Sequence, residues 1–418
     1  MRILYLNTTY TGGGAERVTR QIYEGMKKRG HEVYEIVCYN RKRKITDLHV
    51  HVLYAGVFGK VLQRIQTRNR CNENLTIPYS LFYILRFIKK NRIDVVHLNN
   101  PHDSFLGIHD IRTIAEQCPV VWTLHDLWAL TGHCAVPLAC GDKWKEGCRP
   151  CRWLDSYPRL RRDVSGRLYQ EKKRAFTKAG IHFVTPSHWM REQVRNSYLK
   201  EETCDCIYNS IDPEIWRPLE KDRVRERYSV HTDKLILGFV AADLKNPTKG
   251  MTHLLEALQK LDPEKWFLVI AGVADAQADE CIQRFEHREF GYILDQEKMN
   301  EFYALADVVV NPSLYETFGL VNLEALASGT PAVAFQICAA PEIVERKVGW
   351  CIEEINGEAI RKTLEDISGN PEELYQKSRY CRDYVCQKFN EKEMLDRYER
   401  LYREITACDD YRKEKGKG

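Results

Sequence analysis

Two glutamates eight positions apart, Glu316 and Glu324, bracket the apolar segment FGLVNL in the second half of the chain. An apolar run ends just before them, at residues 311–313, so we expect a strand to end there and a helix to begin near Phe318. Carboxylates accept hydrogen bonds from hydroxyls, so the two glutamates could bind the hydroxyl groups of a sugar and of a ribose. The alternative is that neither glutamate binds a ligand: Glu316 is then a loop charge and Glu324 an ordinary exposed helix residue, because glutamate is common on helices.

The first amides of that predicted helix are a second candidate for binding. N–H groups at a helix N-terminus have no helical acceptor and lie at the positive end of the helix dipole, so they hold phosphates well. A glycine there lets a ligand approach the backbone closely. The candidate phosphate-binding residues are Phe318, Gly319, Leu320 and Val321.

Short apolar runs alternate with helical patterns along the chain, which predicts α/β architecture: two doubly wound Rossmann-like domains facing across a cleft. The predicted strands of the first domain are 3–6, 32–38, 50–54, 95–98, 120–124 and 182–187. Those of the second are 235–241, 266–272, 289–293, 307–313 and 330–335. We expect domains at 1–207 and 223–373 with a proline-bearing linker at 208–222. Ligands of such sheets bind at the carboxyl ends of the strands.

Two further strand ends bear candidate residues. Gly13 and Gly14 follow the first strand and open a helix, a pattern that lets a phosphate or an acceptor approach the backbone. His125 and Asp126 follow the strand at 120–124. The histidine is either satisfied by its neighbours in a loop or reaches a bound sugar, and Asp126 would orient the imidazole or contact an acceptor.

Four cysteines lie close together in an insert at 133–153, next to His133. Two cysteines two residues apart on a turn can chelate one tetrahedral ion, so a structural zinc is one prediction for the insert. Buried free thiols or a disulfide are the alternatives. The four candidate metal ligands are Cys134, Cys140, Cys148 and Cys151.

Charge is unevenly distributed over the 418 residues. Residues 1–210 hold 34 basic and 20 acidic side chains, a net +14, whereas the rest hold 29 and 39, a net −10. Basic segments at 41–44, 57–70 and 159–163 favour an anionic membrane surface or substrate as partner of the first half. The sequence shows no secretory signal and no membrane-spanning run, so we expect a cytoplasmic protein, peripheral on the inner membrane face, with no nucleic-acid partner.

The string NPSLYETFGLVNLEALASGTPAVAF, residues 311–335, resembles the E-x7-E segment of retaining glycosyltransferases of the two-domain GT-B class, family 4. Residues 11–33 are similar to the glycine loop and first helix of that family, and 208–218 to its interdomain segment. The cysteine insert resembles those of a subgroup that builds bacterial polysaccharides. The resemblance also implies that helices at 374–405 cross back to the first domain, ahead of a charged tail at 406–418.

The resemblance implies a role for each candidate residue. Glu316 would contact the donor sugar and, with His125, serve catalysis, while Glu324 would contact the ribose. Lys249 would stabilise the leaving diphosphate. The family arginine has no counterpart here, because its position falls near Ala241 or Ala242; Lys245 is a possible substitute. No D-x-D segment is present, so nothing indicates a catalytic metal.

The sequence therefore predicts a retaining glycosyltransferase that moves a sugar from a nucleotide-sugar donor to a saccharide acceptor, lipid-linked in bacterial surface polysaccharide synthesis. A nucleotide-sugar epimerase or hydrolase on the same scaffold is one alternative. A non-catalytic scaffold that binds a partner through the cysteine insert is another. The intact Glu316–Glu324 segment favours the enzyme.

Overall fold

The computed structural model of the protein describes residues 1–39, 45–54, 61, 78–102, 105–241, 246–272 and 280–415. The basic segment 41–44, most of 57–70, Ala242 and Lys245 lie outside these ranges. Contacts group the chain into two compact units, residues 1–208 with 392–418 and residues 209–391. Within the described ranges no helix is long and apolar enough to cross a membrane.

The first unit is built on a parallel sheet whose described strands follow the order β3-β2-β1-β4-β5-β6-β7. Two adjacent central strands of this sheet, residues 95–98 and 120–123, are buried at every residue, as expected for a parallel sheet covered on both faces. The strands are β1, Arg2–Thr9; β2, Glu32–Tyr39; β3, Val50–Val52; β4, Val95–Leu98; β5, Val120–Thr123; β6, Ile181–Thr185; and β7, Cys204–Cys206. The helices are α1, Gly14–Lys28; α2, Pro78–Asn91; α3, Ile108–Gln117; α4, Ser165–Phe176; and α5, His188–Arg195.

The second unit repeats the architecture with a parallel sheet in the order β10-β9-β8-β11-β12-β13. Its strands are β8, Leu235–Ala241; β9, Trp266–Gly272; β10, Glu286–Gly291; β11, Val308–Asn311; β12, Ala332–Phe335; and β13, Gly349–Ile352. Its helices are α6, Lys221–Arg227; α7, Met251–Lys260; α8, Gln296–Leu305; α9, Leu320–Ala327; α10, Ala340–Ile343; α11, Gly357–Gly369; and α12, Pro371–Lys388.

The predicted fold class, two doubly wound Rossmann-like sheets, is confirmed by this topology. Two short strands were not predicted, β7 and β13, because each offers only three or four residues of pattern. The strand expected at 289–293 lies at 286–291, where the charged residues Glu286, Arg288 and Glu289 are exposed on an edge strand. Edge strands lack the continuous apolar run that marks a central parallel strand, so their bounds are harder to predict.

The final helix, α13, Glu391–Lys415, belongs to the first unit from Lys392 onward, whereas α12 belongs to the second. The segment at 374–405 is thus divided between the two units. A buried polar network attaches α13 to the sheet. The His97 ring contacts the Tyr402 hydroxyl through Nδ1 and the Thr123 hydroxyl through Nε2, each at 2.7 Å. Tyr398 adds a 3.0 Å contact to the same threonine.

We predict that Tyr402→Phe destabilises the folded chain by about 1–3 kcal/mol, because it leaves the buried Nδ1 of His97 without its partner. The measurement is urea denaturation. Tyr380→Phe removes the same hydroxyl from a tyrosine that is 56% exposed and should leave the unfolding midpoint unchanged. Equal midpoints for the two variants would show that the network does not hold the helix.

Candidate active site

The most direct contact among the predicted site residues joins Lys249 to Glu316. The lysine Nζ lies 2.7 Å from Glu316 Oε1, and both side chains are partly exposed. Lys249 closes a single 3-10 turn that begins after residue 246, and Glu316 lies in the loop between β11 and α9. The structure thus brings together two residues that are 67 positions apart in sequence.

Gly250 explains how these two segments come so close. Its φ of +62° is in the left-handed region, and a Cβ there would stand 1.9 Å from the carbonyl oxygen of Pro312. The Leu314 amide also donates to the Thr248 carbonyl at 2.7 Å. Only glycine permits this backbone contact, which sets Lys249 against the loop that bears Glu316.

The loop itself is held by buried amide side chains. Asn322 Oδ1, on the first turn of α9, accepts from Asn311 Nδ2 at 3.0 Å. The other oxygen of this pair, Asn311 Oδ1, accepts from the Ser313 hydroxyl at 2.8 Å. A buried polar network of this kind favours one loop conformation. Sequence reasoning missed these supporting residues, since single asparagines give no spacing signal.

Helix α9 begins at Leu320, close to the predicted start, and its N-cap is Gly319 with a φ of +99°. Within the described residues the amides of Gly319, Leu320 and Val321 donate to no backbone acceptor. Phe318 is buried and its ring packs on Phe389 at 5.7 Å. The helix start thus offers unused donors beside the Lys249–Glu316 pair, as phosphate binding requires.

Glu324 differs from Glu316 in its surroundings. It is only 3% exposed and lies on α9, where its Oε2 accepts from the Tyr303 hydroxyl at 3.1 Å. The alternative of an exposed helix residue is therefore wrong for Glu324. One carboxylate oxygen is engaged with α8, so a ribose contact would use the remaining hydrogen-bonding capacity of the group.

In the first unit His125 is paired with an amide. Its Nε2 donates to Asn99 Oδ1 at 2.9 Å, which joins the ends of β5 and β4. Burial lowers the pKa of His125 to about 4, although the neighbouring Asp126 partly offsets the effect. The ring is therefore neutral near pH 7 and acts as a hydrogen-bonding group rather than a cation.

Asp126 does not pair with His125, in contrast to one role we expected for it. Its Oδ2 accepts from His102 Nε2 at 2.8 Å and its Oδ1 from the Trp128 amide at 2.8 Å. Burial disfavours the carboxylate charge, but the His102 ring and these hydrogen bonds outweigh burial and lower the pKa of Asp126. His102 was not predicted as a site residue; it lies beyond the end of β4 in a loop without a recognisable motif.

The glycine loop after β1 borders a pocket of about 270 Å³ within the first unit, called here the glycine-loop pocket. Gly13 is part of the lining and caps α1, while Gly14 is the first residue of that helix. The Glu16 carboxylate also lines the pocket and accepts from the Thr9 hydroxyl at 2.9 Å. A Cβ on Gly12 would approach that carboxylate to about 3.1 Å, so the loop and the carboxylate are in close contact.

The four cysteines of the insert are free thiols. Cys148 Sγ accepts from the Gly132 amide at 3.0 Å, and Cys151 Sγ lies 3.5 Å from His133 Nε2. Burial raises the pKa of Cys134 to about 12 and that of Cys148 to about 11. Within the described ranges no three histidine, cysteine, aspartate or glutamate side chains are grouped as a metal site. The structural zinc therefore stays a prediction.

Known protein families match both halves of the chain. Residues 12–215 match the model described as Glycosyltransferase Family 4, and residues 220–384 match that described as Glycosyl transferases group 1. One relative from Escherichia coli K12 has the name colanic acid biosynthesis glycosyl transferase WcaC. It is 25% identical over 369 residues, covering 85% of this chain and 88% of the relative.

Solved structures share the fold. Sucrose-phosphate synthase of Thermosynechococcus elongatus superposes with a TM-score of 0.73 at 18% identity, over 97% of this chain and 99% of the other. Anabaena HepE, solved in complex with UDP, gives a TM-score of 0.69 at 16% identity, over 96% and 99% of the two chains. The protein is therefore a glycosyltransferase of the GT-B class and belongs to family 4.

Proposed function

We propose that this glycosyltransferase moves a sugar from a nucleotide-sugar donor to a saccharide acceptor with retention of anomeric configuration. The observation that carries the proposal is the Lys249–Glu316 contact beside the open N-terminus of α9. This arrangement places a cation, a hydroxyl-binding carboxylate and unused amides within one loop system. A nucleotide-sugar presents the matching groups, namely a diphosphate and a hydroxylated ring.

In the proposed reaction the C1–O bond to the diphosphate breaks and the acceptor oxygen forms a new bond to C1 on the same face. A phosphate oxygen takes the acceptor proton, so the products are the glycoside and the nucleoside diphosphate. Lys249 and the amides of residues 319–321 stabilise the charge that grows on the phosphates. Glu316 holds the sugar hydroxyls and supports positive charge at the reacting carbon, and His125 is proposed as its partner from the family resemblance.

The Lys249–Glu316 pair also suggests an order of events. In the protein without ligand each charge is neutralised by the other across 2.7 Å. An arriving diphosphate competes for the lysine, and sugar hydroxyls then replace the ammonium as donors to the carboxylate. The pair therefore keeps both groups in position before substrate binds, which lowers the cost of organising the site.

Two of the similar proteins, HepE and WcaC, bear on the ligands proposed here. HepE is solved with UDP, which supports a nucleotide-sugar donor of the uridine class here. WcaC is named for colanic acid biosynthesis, which supports a role in bacterial polysaccharide synthesis. We propose a lipid-linked saccharide as acceptor. Because such an acceptor is anchored in a membrane, we also propose that the protein binds peripherally to an anionic membrane surface.

Helix α2 has the composition expected of a membrane-facing surface. Phe82 is 65% exposed and Tyr79 is 39% exposed on this helix. Arg86, Lys89 and Lys90 are exposed on its following turns. Aromatic rings beside basic residues suit the interface of an anionic leaflet. In the segment 159–163, Arg159, Arg161 and Arg162 are also exposed.

We predict that Glu316→Ala lowers kcat/KM for transfer by roughly 10²–10³ while binding of the nucleoside diphosphate stays nearly intact. Lys249→Ala should weaken both, because it removes the cation and leaves the Glu316 charge facing the phosphates. Adding Glu316→Ala to Lys249→Ala should restore part of the nucleotide binding. The measurements are titration calorimetry with UDP and steady-state transfer kinetics.

The ion pair between Lys234 and Glu286 provides a matched control in the same unit, since it also spans 2.7 Å. Alanine at either of those positions should leave transfer and nucleotide binding unchanged. Full transfer activity in Glu316→Ala would refute the proposed role of this carboxylate. Turnover of the donor that does not respond to added acceptor would instead favour the hydrolase alternative.

We predict that the full chain sediments with vesicles containing phosphatidylglycerol and not with pure phosphatidylcholine vesicles. Reversing Lys89 and Lys90 to glutamate should weaken binding about tenfold or more, given about 1 kcal/mol per basic residue near an anionic surface. Lys298→Glu with Lys362→Glu changes net charge equally on exposed residues of the second unit and is the control. Equal binding by both double variants would contradict a membrane role for α2.

We retain one structural zinc in the cysteine insert as a prediction that metal content tests. Protein purified without chelators should contain about one zinc per chain by mass spectrometry, and Cys148→Ser with Cys151→Ser should abolish it. Cys408→Ser, at an exposed thiol outside the insert, should retain the metal. A zinc content near zero in the unmodified chain would reject the site.

A further inference from the structure

The glycine-loop pocket has a lining whose chemistry distinguishes between sugars and phosphates. It is bordered by hydroxyl, amide and carboxylate side chains, and no lysine, arginine or histidine is among the described residues that line it. The polar side chains of this lining include Thr9, Thr11, Glu16, Tyr39, Asn100 and Tyr157. Hydroxyls and an amide both donate and accept, as the hydroxyl groups of a sugar require.

Glu16 occupies the position where an anionic ligand would otherwise bind. It lies in the first turn of α1, so the positive end of the helix dipole already faces a carboxylate of the protein. That carboxylate is held by the Thr9 hydroxyl and lies against the glycine loop. A phosphate in the pocket would meet a negative charge at short range with no cation in the described lining to offset it.

Arg20, one turn beyond Glu16 on α1, is committed elsewhere. Its guanidinium forms an ion pair with the buried carboxylate of Glu35 and stacks over the Tyr10 ring at 4.3 Å. Burial raises the pKa of Glu35 to about 7, and Arg20 is the group that opposes that rise. Withdrawing Arg20 toward a ligand would leave Glu35 buried without its partner, which is costly.

Tyr157 provides an aromatic wall of the pocket. Its side chain is 54% exposed, and its ring meets the His102 ring edge-on at 5.8 Å. The cysteine insert holds the backbone at this point. The Ala135 amide donates to the Tyr157 carbonyl at 2.7 Å, and His133 Nδ1 donates to the Pro158 carbonyl at 2.8 Å. The insert thus sets the position of an aromatic face beside polar groups.

We infer that the glycine-loop pocket is a subsite for one uncharged pyranose unit of the acceptor, with Tyr157 as its ring platform and Glu16 as the acceptor of its hydroxyls. The inference rests on the proposed function, because only a transferase uses an acceptor. It goes beyond that function by naming the class of sugar, a neutral rather than a phosphorylated one. At about 270 Å³ the pocket is slightly below the ~300–1,000 Å³ typical of drug-sized ligands, which suits a single ring.

The test uses the full chain and measures binding by saturation-transfer NMR and titration calorimetry. The probes are the methyl pyranosides of glucose, galactose and mannose, with glucose 6-phosphate and mannose 6-phosphate as charged counterparts. We expect at least one methyl pyranoside to bind and neither sugar phosphate to displace it. Tyr157→Ala should weaken that binding up to about tenfold, the upper range for one aromatic contact.

Three further variants separate the subsite from general effects. Tyr157→Phe keeps the ring and should retain binding. Tyr380→Ala removes an equally exposed tyrosine from the second unit and should change nothing. Glu16→Gln should weaken methyl pyranoside binding and improve binding of the sugar phosphates, because it removes the charge and keeps the shape.

The inference is overturned if the sugar phosphates bind more tightly than the methyl pyranosides, if none of the methyl pyranosides binds, or if Tyr157→Ala binds them as the unmodified chain does. UDP binding, measured in parallel, reports the donor site independently. Loss of UDP binding with retained pyranoside binding would count against the proposed donor site and leave the subsite standing. The reverse result would remove the subsite and leave the donor site in place.

Discussion

The backbone contact at Gly250 is the constraint on which the proposed donor site depends. A side chain at that position would collide with the Pro312 carbonyl, so the turn bearing Lys249 can lie against the loop bearing Glu316 only with glycine between turn and helix. The 2.7 Å ion pair is a consequence of this packing. An ion pair with both partners partly exposed adds little stability by itself, so its value lies in the position that it gives to a cation and a carboxylate.

The two glutamates of the E-x7-E segment show how surroundings separate similar groups. Glu316 lies in a loop with a cation as partner, so it can exchange that partner for a ligand. Glu324 is buried on α9, and its oxygen is already bonded to Tyr303. A buried carboxylate with a neutral donor is fixed in place and changes partner at a higher cost. The segment therefore combines an exchangeable carboxylate and a fixed one.

Much of the fold could be predicted from the sequence, because central parallel strands are continuous apolar runs and β8 and β9 have the predicted bounds. Long-range packing could not. Nothing in the spacing of Lys249 and Glu316 shows that they touch, and the pairing of Asp126 with His102 depends on the register of β4 and β5. Tyr303 was equally hidden, since its role depends on α8 packing beside α9 rather than on any motif.

The two candidate ligand sites differ in the charge they present, and the proposed ligands follow that difference. The helix start at α9 has no acidic residue in its first turn and lies beside Lys249, so its field favours phosphate. The helix start at α1 has Glu16 in its first turn, so a carboxylate of the protein already lies at the positive end of that helix dipole. We therefore expect the two glycine-bearing helix starts to have opposite ligand preferences. A carboxylate in the first turn of a helix thus weighs against an anion site at the glycine loop before that helix.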